Sequence, residues 1–318
     1  MAMQLLMKAS VTAVVEVADD TRSYELAPVK RVRFPPFEPG AHVTVQLPNG
    51  MKRQYSLCSD PSDTTRYRIA VLREAKGRGA SQFMHEAVHP GDVLYLTYPD
   101  NRFPIASEAS RHVFIAGGIG ITPILPMVTM LSREHASFVL HYCARSRARA
   151  AFIDELEHVC PPGALQLHFD GGDPSRGLDI RSLLSTPRPG EHCYCCGPAP
   201  LIDAVRAATS NWPDGTAHFE AFSGLSGLES VVGDPFQLRI ASTDLVLEVP
   251  SNRSALSVLR EAGFNLDSSC EAGACGTCRV RYVSGEPVHL DFALRPEERS
   301  DQFICCVSRA VGELTVDL

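Results

Sequence analysis

The chain has no apolar run approaching the roughly 18–20 residues needed to cross a bilayer. Its first residues, Met1 to Met7, carry no basic leader and no cleavage site, and Lys8, Ser10 and Thr12 interrupt them. They read as the start of a first strand and not as a signal peptide, so a cytoplasmic location is expected. Low-complexity tracts and internal repeats are also missing, which excludes a disordered chain. There is no excess of basic residues. Thirty Lys plus Arg face 37 Asp plus Glu, a net charge of −7, which argues against nucleic acid as the main partner. No Ser-His-Asp or paired-carboxylate signature stands out, and there is no C-x-H…C-x-x-H pair of the Rieske kind.

What is present is length and cysteine. The 318 residues suit two or three domains, and 11 of them are cysteines. In a reducing compartment clustered cysteines bind metal or do redox chemistry more often than they form disulfides. Cys58, Cys143, Cys160, Cys193 and Cys195 are scattered, and read as small buried hydrophobes. Charge is uneven as well. Residues 234–318 hold 13 acids and 8 bases, and this acidic quarter is either a solvated face or a surface that steers a basic partner.

The first hundred residues read as short alternating strands, Ser10–Val17, Arg22–Pro28, His42–Leu47, Lys52–Leu57, Tyr67–Leu72 and Asp92–Thr97. Gly/Pro/Asp turns divide them and one helix, Ala80–Ala87, interrupts them, a pattern that predicts a barrel. From His112 strands and helices alternate: strands His112–Ala116, Ser137–Cys143, Gln166–Asp170, His192–Cys196 and His218–Phe222, with helices Ile124–Glu134, Phe152–Val159, Ile180–Leu184 and Pro200–Thr209. Such alternation predicts a doubly wound parallel sheet. A Gly/Ser stretch, Ser223–Gly227, reads as a linker. Beyond it come a hairpin of Phe236–Ala241 with Leu245–Pro250, a helix Ala255–Ala262 capped by Ser254 and Gly263, and strands Arg279–Val283 and Glu313–Asp317. The expected division is 1–106, 107–223, a linker at 224–233, and 234–318.

The spacing Cys270-x4-Cys275-x2-Cys278 with a distant fourth cysteine is the plant-type arrangement for a [2Fe–2S] cluster. The small residues between, Ala272, Gly273, Ala274, Gly276 and Thr277, let the backbone wrap closely and aim N–H groups at sulfur. Zinc sites instead pair cysteines in two separate knuckles. The fourth ligand is Cys305 or Cys306. If the segment is extended, successive side chains point to opposite sides, so one of the two faces the cluster.

Arg53-Gln54-Tyr55-Ser56 lies on a barrel strand and reads as a group able to hold an anionic, aromatic ligand, with Arg53, Tyr55 and Ser56 turned to one side. Gly77-Arg-Gly79-Ala-Ser81 leads into the barrel helix, where unpaired N–H groups make a phosphate cradle. Gly117-Gly118-Ile-Gly120-Ile-Thr122-Pro123 follows a buried strand and opens a helix, the place for a pyrophosphate, although it is not the G-x-G-x-x-G fingerprint. Cys196-Gly197-Pro198 comes at the end of the last parallel strand, where ligands of open α/β sheets collect. The basic run Arg145-Ser-Arg147 after the second parallel strand could accept a 2′-phosphate.

These motifs, with the ending Ile304-Cys-Cys-Val-Ser-Arg309, resemble the phthalate dioxygenase reductase family and its vanillate O-demethylase reductase relatives along the whole chain. The resemblance implies an antiparallel β-barrel that binds flavin, a doubly wound α/β nicotinamide domain, and a β-grasp plant-type ferredoxin domain. It implies FMN rather than FAD, and NADH rather than NADPH. Arg53, Gln54, Tyr55, Ser56, Ala70, Val71, Gly79, Ser81, Thr122 and Phe222 would contact the flavin. Gly117, Gly118, Gly120, Thr122, Cys196, Gly197 and Pro198 would contact the nicotinamide nucleotide. The family's fourth cluster ligand directly precedes Val-Ser-Arg, which selects Cys306 beside Cys270, Cys275 and Cys278. The expected function is an NADH-dependent reductase that passes electrons through FMN and the cluster to a separate Rieske-type terminal oxygenase, docking at the acidic ferredoxin domain. A redox sensor and a self-contained flavoprotein with its own small acceptor are the rival readings.

Overall fold

The computed structural model describes residues 6–75, 79–222, 233–243, 245–268, 271, 273, 276–291, 293–294 and 296–318. Gly77, Cys270, Cys275 and residues 224–232 of the expected linker lie outside the described residues. The chain forms two compact units, Met1–Glu220 and Ala221–Leu318.

The first unit contains two sheets. Strands β1 (Met7–Ala18), β2 (Thr21–Pro28), β3 (Ala41–Gln46), β4 (Lys52–Ser56), β5 (Tyr67–Leu72), β6 (Val93–Leu96) and the short β7 (Asp100–Asn101) pair antiparallel in the order β4-β3-β6-β1-β2-β5, with β7 on β3. Alternation drives this. Met7, Ala9 and Val11 of β1 are buried while Lys8 and Thr12 face water, the period-two pattern of a half-buried strand. Just past the end of β4, Cys58 N donates to Arg68 O of β5 at 2.8 Å and the Arg68 side chain donates from Nη2 to Cys58 O at 2.7 Å, linking the two outer strands of the sheet. Helix α1 (Ala80–Ala87) lies where the sequence places it, held by Tyr24 Oη on Met84 O and Arg22 Nη1 on His85 O.

The second sheet is parallel, built from β8 (Arg111–Gly117), β9 (Phe138–Ala144), β10 (Leu165–Phe169), β11 (Glu191–Cys196) and β12 (Ala217–Glu220) in the order β10-β9-β8-β11-β12. Every residue of β11 is buried, as expected of a strand covered on both faces. Helices α2 (Ile121–Arg133), α3 (Ile153–Val159), α4 (Ile180–Leu183) and α5 (Ala199–Ala208) connect the strands. Helix α2 begins three residues before the apolar pattern does, because a first-turn Pro123 has no N–H that the helix would miss. Two histidine pairs bridge the edge strands: His141 Nδ1 to His168 Nε2 at 3.1 Å, and His192 Nδ1 to His218 Nε2 at 3.0 Å.

The second unit is a five-stranded sheet of β13 (Phe236–Ile240), β14 (Val246–Val249), β15 (Arg279–Val288), β16 (Gln302–Ile304) and β17 (Arg309–Asp317), ordered β14-β13-β17-β15-β16, with helix α6 (Ala255–Glu261). Strand β15 runs past its expected end at Val283. Gly285, at φ 109°, carries it through a bulge where a Cβ would stand 2.5 Å from Glu313 O. The N-cap of α6 forms as expected, Ser254 Oγ accepting from Ser257 N at 3.1 Å. Among the described residues no helix is long and apolar enough to cross a membrane.

Candidate functional site

Arg53, Gln54, Tyr55 and Ser56 form the end of β4. The expectation that Arg53, Tyr55 and Ser56 share one side is corrected by the strand itself: period two groups Arg53 with Tyr55 and places Ser56 with Gln54. Tyr55 packs against the barrel core, and burial raises its phenol pKa. Ala70 and Val71 of β5 are buried on opposite faces, Ala70 in the cluster around Ile121 and Cys196, Val71 in the barrel core. Gly79, at φ 87°, turns the chain into α1, and Ser81 Oγ accepts from Glu74 N at 3.1 Å.

The two glycine motifs of the α/β half pack on each other. A Cβ at Gly120 would stand 2.1 Å from Cys196 O, and one at Gly197 would stand 3.0 Å from Gly117 Cα. Their small size is therefore demanded first by loop-on-loop packing. Gly118 differs: it has φ 54° and open space where a Cβ would be, so its backbone stays approachable by a ligand. Tyr142 Oη donates to Gly118 O at 3.1 Å, and Thr122 Oγ1 donates to Ile119 O at 2.9 Å, fixing the turn. Pro198 is the N-cap of α5, so Cys196-Gly197-Pro198 meets Gly117–Gly120 at the C-terminal ends of β8 and β11.

In the parallel register Cys196 is opposite Glu220, and Cys195 is opposite Phe219 on the other face. Cys196 thus shares its face with Ala116 and the core around Ile121, while Cys195 does not. Glu220 is a site residue missed in the sequence. Its only signal is an acid inside the apolar run His218-Phe-Glu-Ala-Phe222. Burial pushes its carboxyl up to about 8, partly opposed by the nearby Ser56 hydroxyl, so it holds a proton at neutral pH. Glu220 Oε2 and Ser56 Oγ are both shut off from solvent and neither completes a hydrogen bond. Two buried, unsatisfied polar atoms at a barrel end are the donor and acceptor that a polar aromatic ring requires, so the site fits a flavin. Phe222 lies two residues further on and is partly exposed.

In the second unit Cys278, Cys305 and Cys306 are buried. Cys305 and Cys306 lie in a turn after β16, where Val307 N and Ser308 N both donate to Ile304 O, so the extended-segment alternation does not apply to them. Cys306 Sγ accepts from Gly273 N at 3.3 Å. Gly273 and Gly276, at φ 74° and 67°, give the loop the left-handed turns that small residues permit. Arg260 Nη1 donates to Glu271 Oε1 at 2.9 Å and anchors the loop to α6. Two buried sulfurs, one with a backbone N–H donor, are a donor set suited to a [2Fe–2S] cluster.

Residues 238–311 match the family model of the 2Fe-2S iron–sulfur cluster binding domain. Phthalate dioxygenase reductase of Burkholderia cepacia is 42% identical over 95% of this chain and 94% of its own length. A vanillate O-demethylase oxidoreductase of a Pseudomonas species is 40% identical over 97% and 98%. A solved phthalate dioxygenase reductase, described as a modular structure for electron transfer from pyridine nucleotides to [2Fe–2S], superposes with a TM-score of 0.74 at 40% identity, covering 98% of both chains. The chain belongs to the phthalate dioxygenase reductase family, as an oxidoreductase with flavin, nicotinamide nucleotide and a [2Fe–2S] cluster as its redox cofactors.

Proposed function

We propose that the protein is the NADH-dependent reductase component of a separate Rieske-type terminal oxygenase, with FMN as its flavin. The observation that carries this reading is the meeting of Ser56, at the end of barrel strand β4, with Glu220, at the ligand-binding end of the parallel sheet. A flavin held there would supply the conversion of a two-electron hydride into single electrons that a [2Fe–2S] cluster can take. The chain's own groups bind and orient. Gly118 offers open backbone to a pyrophosphate, and protonated Glu220 can donate a hydrogen bond that Ser56 can accept or relay. Cys196 fills the floor of the site as an uncharged thiol, its pKa raised well above the ordinary value by burial.

NADH is favoured over NADPH by the family resemblance; within the basic run Arg145-Ser-Arg147, Arg147 is engaged, Nη1 with Glu157 at 3.0 Å and Nη2 with Asp154 at 3.2 Å. Chromatography of acid-released flavin tests FMN against FAD. The partner docks through the acidic 234–318 segment, whose 13 acids exceed its 8 bases. Reconstitution tests the whole reading: NADH-driven reduction of a Rieske oxygenase, weakened by salt, supports it. Dye reduction with no oxygenase reduction under any condition counts against it.

A further inference from the structure

We propose that Asp291 is a positioning residue for the iron–sulfur loop, acting through Gly273 on the sulfur of Cys306. The proposal rests on the reading of Cys306 as a cluster ligand. Asp291 is 4% exposed, and its carboxylate accepts two hydrogen bonds, from Leu294 N at 2.9 Å and from Ser308 Oγ at 3.0 Å. Ser308 is fully buried and its Oγ accepts in turn from Leu290 N at 3.3 Å. A carboxylate is an acceptor-only group, and here it faces two hydrogen-bond donors, with His289 Nδ1 also lying 3.6 Å from Oδ1. Together Asp291 and Ser308 tie residues 290–294 to the turn that carries Cys306.

Gly273 sits against that tie. A Cβ there would stand 3.2 Å from Asp291 Cα and 2.7 Å from Val307 Cγ2, so the loop backbone is wedged between the two segments. Its carbonyl accepts from Ala293 N at 3.1 Å, and its N–H donates to Cys306 Sγ at 3.3 Å. The path from the Asp291 carboxylate to the N–H···S bond is therefore a chain of contacts. Packing alone does not explain an acid here. A buried carboxyl is costly unless every oxygen is bonded, and placing one near an anionic cluster adds to that cost. What it supplies is a fixed backbone donor at a ligand sulfur, one of the determinants of cluster potential and retention.

The test uses the full-length holoprotein with two conservative variants, Asp291→Asn and Ser308→Ala. Three quantities are read: the EPR spectrum of the reduced cluster, its midpoint potential in a mediated redox titration, and its loss to chelator. The expected result is an altered g anisotropy, a several-fold shift in the reduction equilibrium (tenfold corresponds to about 59 mV for one electron) and about tenfold faster cluster loss. Flavin reduction by NADH serves as the unchanged control. Ser308→Ala removes no charge, so a wild-type spectrum and potential in it overturns the proposal even if thermal stability falls. If one variant does not load, the other decides on the same criteria. Cys306→Ala, which leaves no ligating atom, separates the two readings: a cluster retained there defeats the ligand assignment, whereas its loss beside unaltered Asp291 and Ser308 variants defeats this inference alone.

Discussion

Gly273 N donates to Cys306 Sγ at 3.3 Å, while the neighbouring Cys305 makes a backbone bond, its N–H donating to Cys278 O at 3.3 Å. Of the two adjacent buried cysteines, Cys306 accepts a backbone N–H from the loop. Cys306→Ala is expected to purify with flavin but without the [2Fe–2S] absorption and EPR signal, and Cys305→Ala to keep both. Iron content per flavin decides between them, and equal loss in the two variants would contradict the assignment.

Glu220 carries a prediction in pH. Its pKa in the folded chain, about 8, exceeds the ordinary carboxyl value near 4.5. The folded state therefore binds the proton more tightly, and the associated stability is complete below pH ~4.5 and lost as pH rises towards 8. Glu220→Gln should flatten the pH dependence of the first unit's urea midpoint over that window. It should also remove an inflection near pH 8 from the visible spectrum of the bound flavin. An inflection that persists in the variant belongs to another group.

The histidine pairs predict the opposite slope at acid pH. Burial and the neighbouring imidazole lower His141 and His218 to about 4, and burial lowers His168. Facing these pairs are His112, also lowered to about 4, Glu108, Cys143 and Asp170. An unfolded chain takes up these protons from about pH 6.5, whereas in the folded chain His141 and His218 do so only near 4, so stability falls as pH drops through that interval. Doubly protonated pairs would also place like charges about 3 Å apart. Denaturation midpoints measured at pH 7 and pH 5 should differ less in a His168→Asn/His218→Asn variant. An unchanged difference would show that the pairs do not govern acid stability.

Gly120→Ala tests the packing of the two glycine loops. The added methyl would stand 2.1 Å from Cys196 O, a backbone atom that cannot swing away. A displacement of about 1 Å at the nicotinamide site is expected to slow flavin reduction by NADH about 100-fold, with flavin content intact. Stopped-flow absorbance at the flavin band measures it, and a rate near wild type would mean that the loops part without cost.

How much of this was legible in the chain depends on the kind of signal. Most strands and helices followed from periodicity and turn residues, but β7 and β16, two and three residues long, are too short to show a period, and Cys270-x4-Cys275-x2-Cys278 followed from spacing alone. What spacing does not encode is which face a residue takes when the local backbone departs from its ideal. The Cys305-Cys306 pair lay in a turn instead of a strand, whereas Ser56 fell on the other side of β4 from Arg53 and Tyr55 because that strand keeps its regular period. Glu220 was illegible because its partner, Ser56, is 164 positions away in sequence and reaches it only through the fold. Gly120 and Gly197 read as nucleotide contacts, while the structure shows an earlier demand on them, contact between two loops.

The central claim is a path for electrons from nicotinamide through flavin to the cluster, and an anaerobic NADH titration followed by visible absorbance and EPR tests it most directly. The account predicts that flavin and [2Fe–2S] bands both bleach, that a [2Fe–2S] EPR signal grows in, and that full reduction consumes about 1.5 equivalents of NADH, since two electrons per hydride must supply about three per protein. A flavin that bleaches at about one equivalent while the cluster stays oxidised and EPR-silent would contradict it.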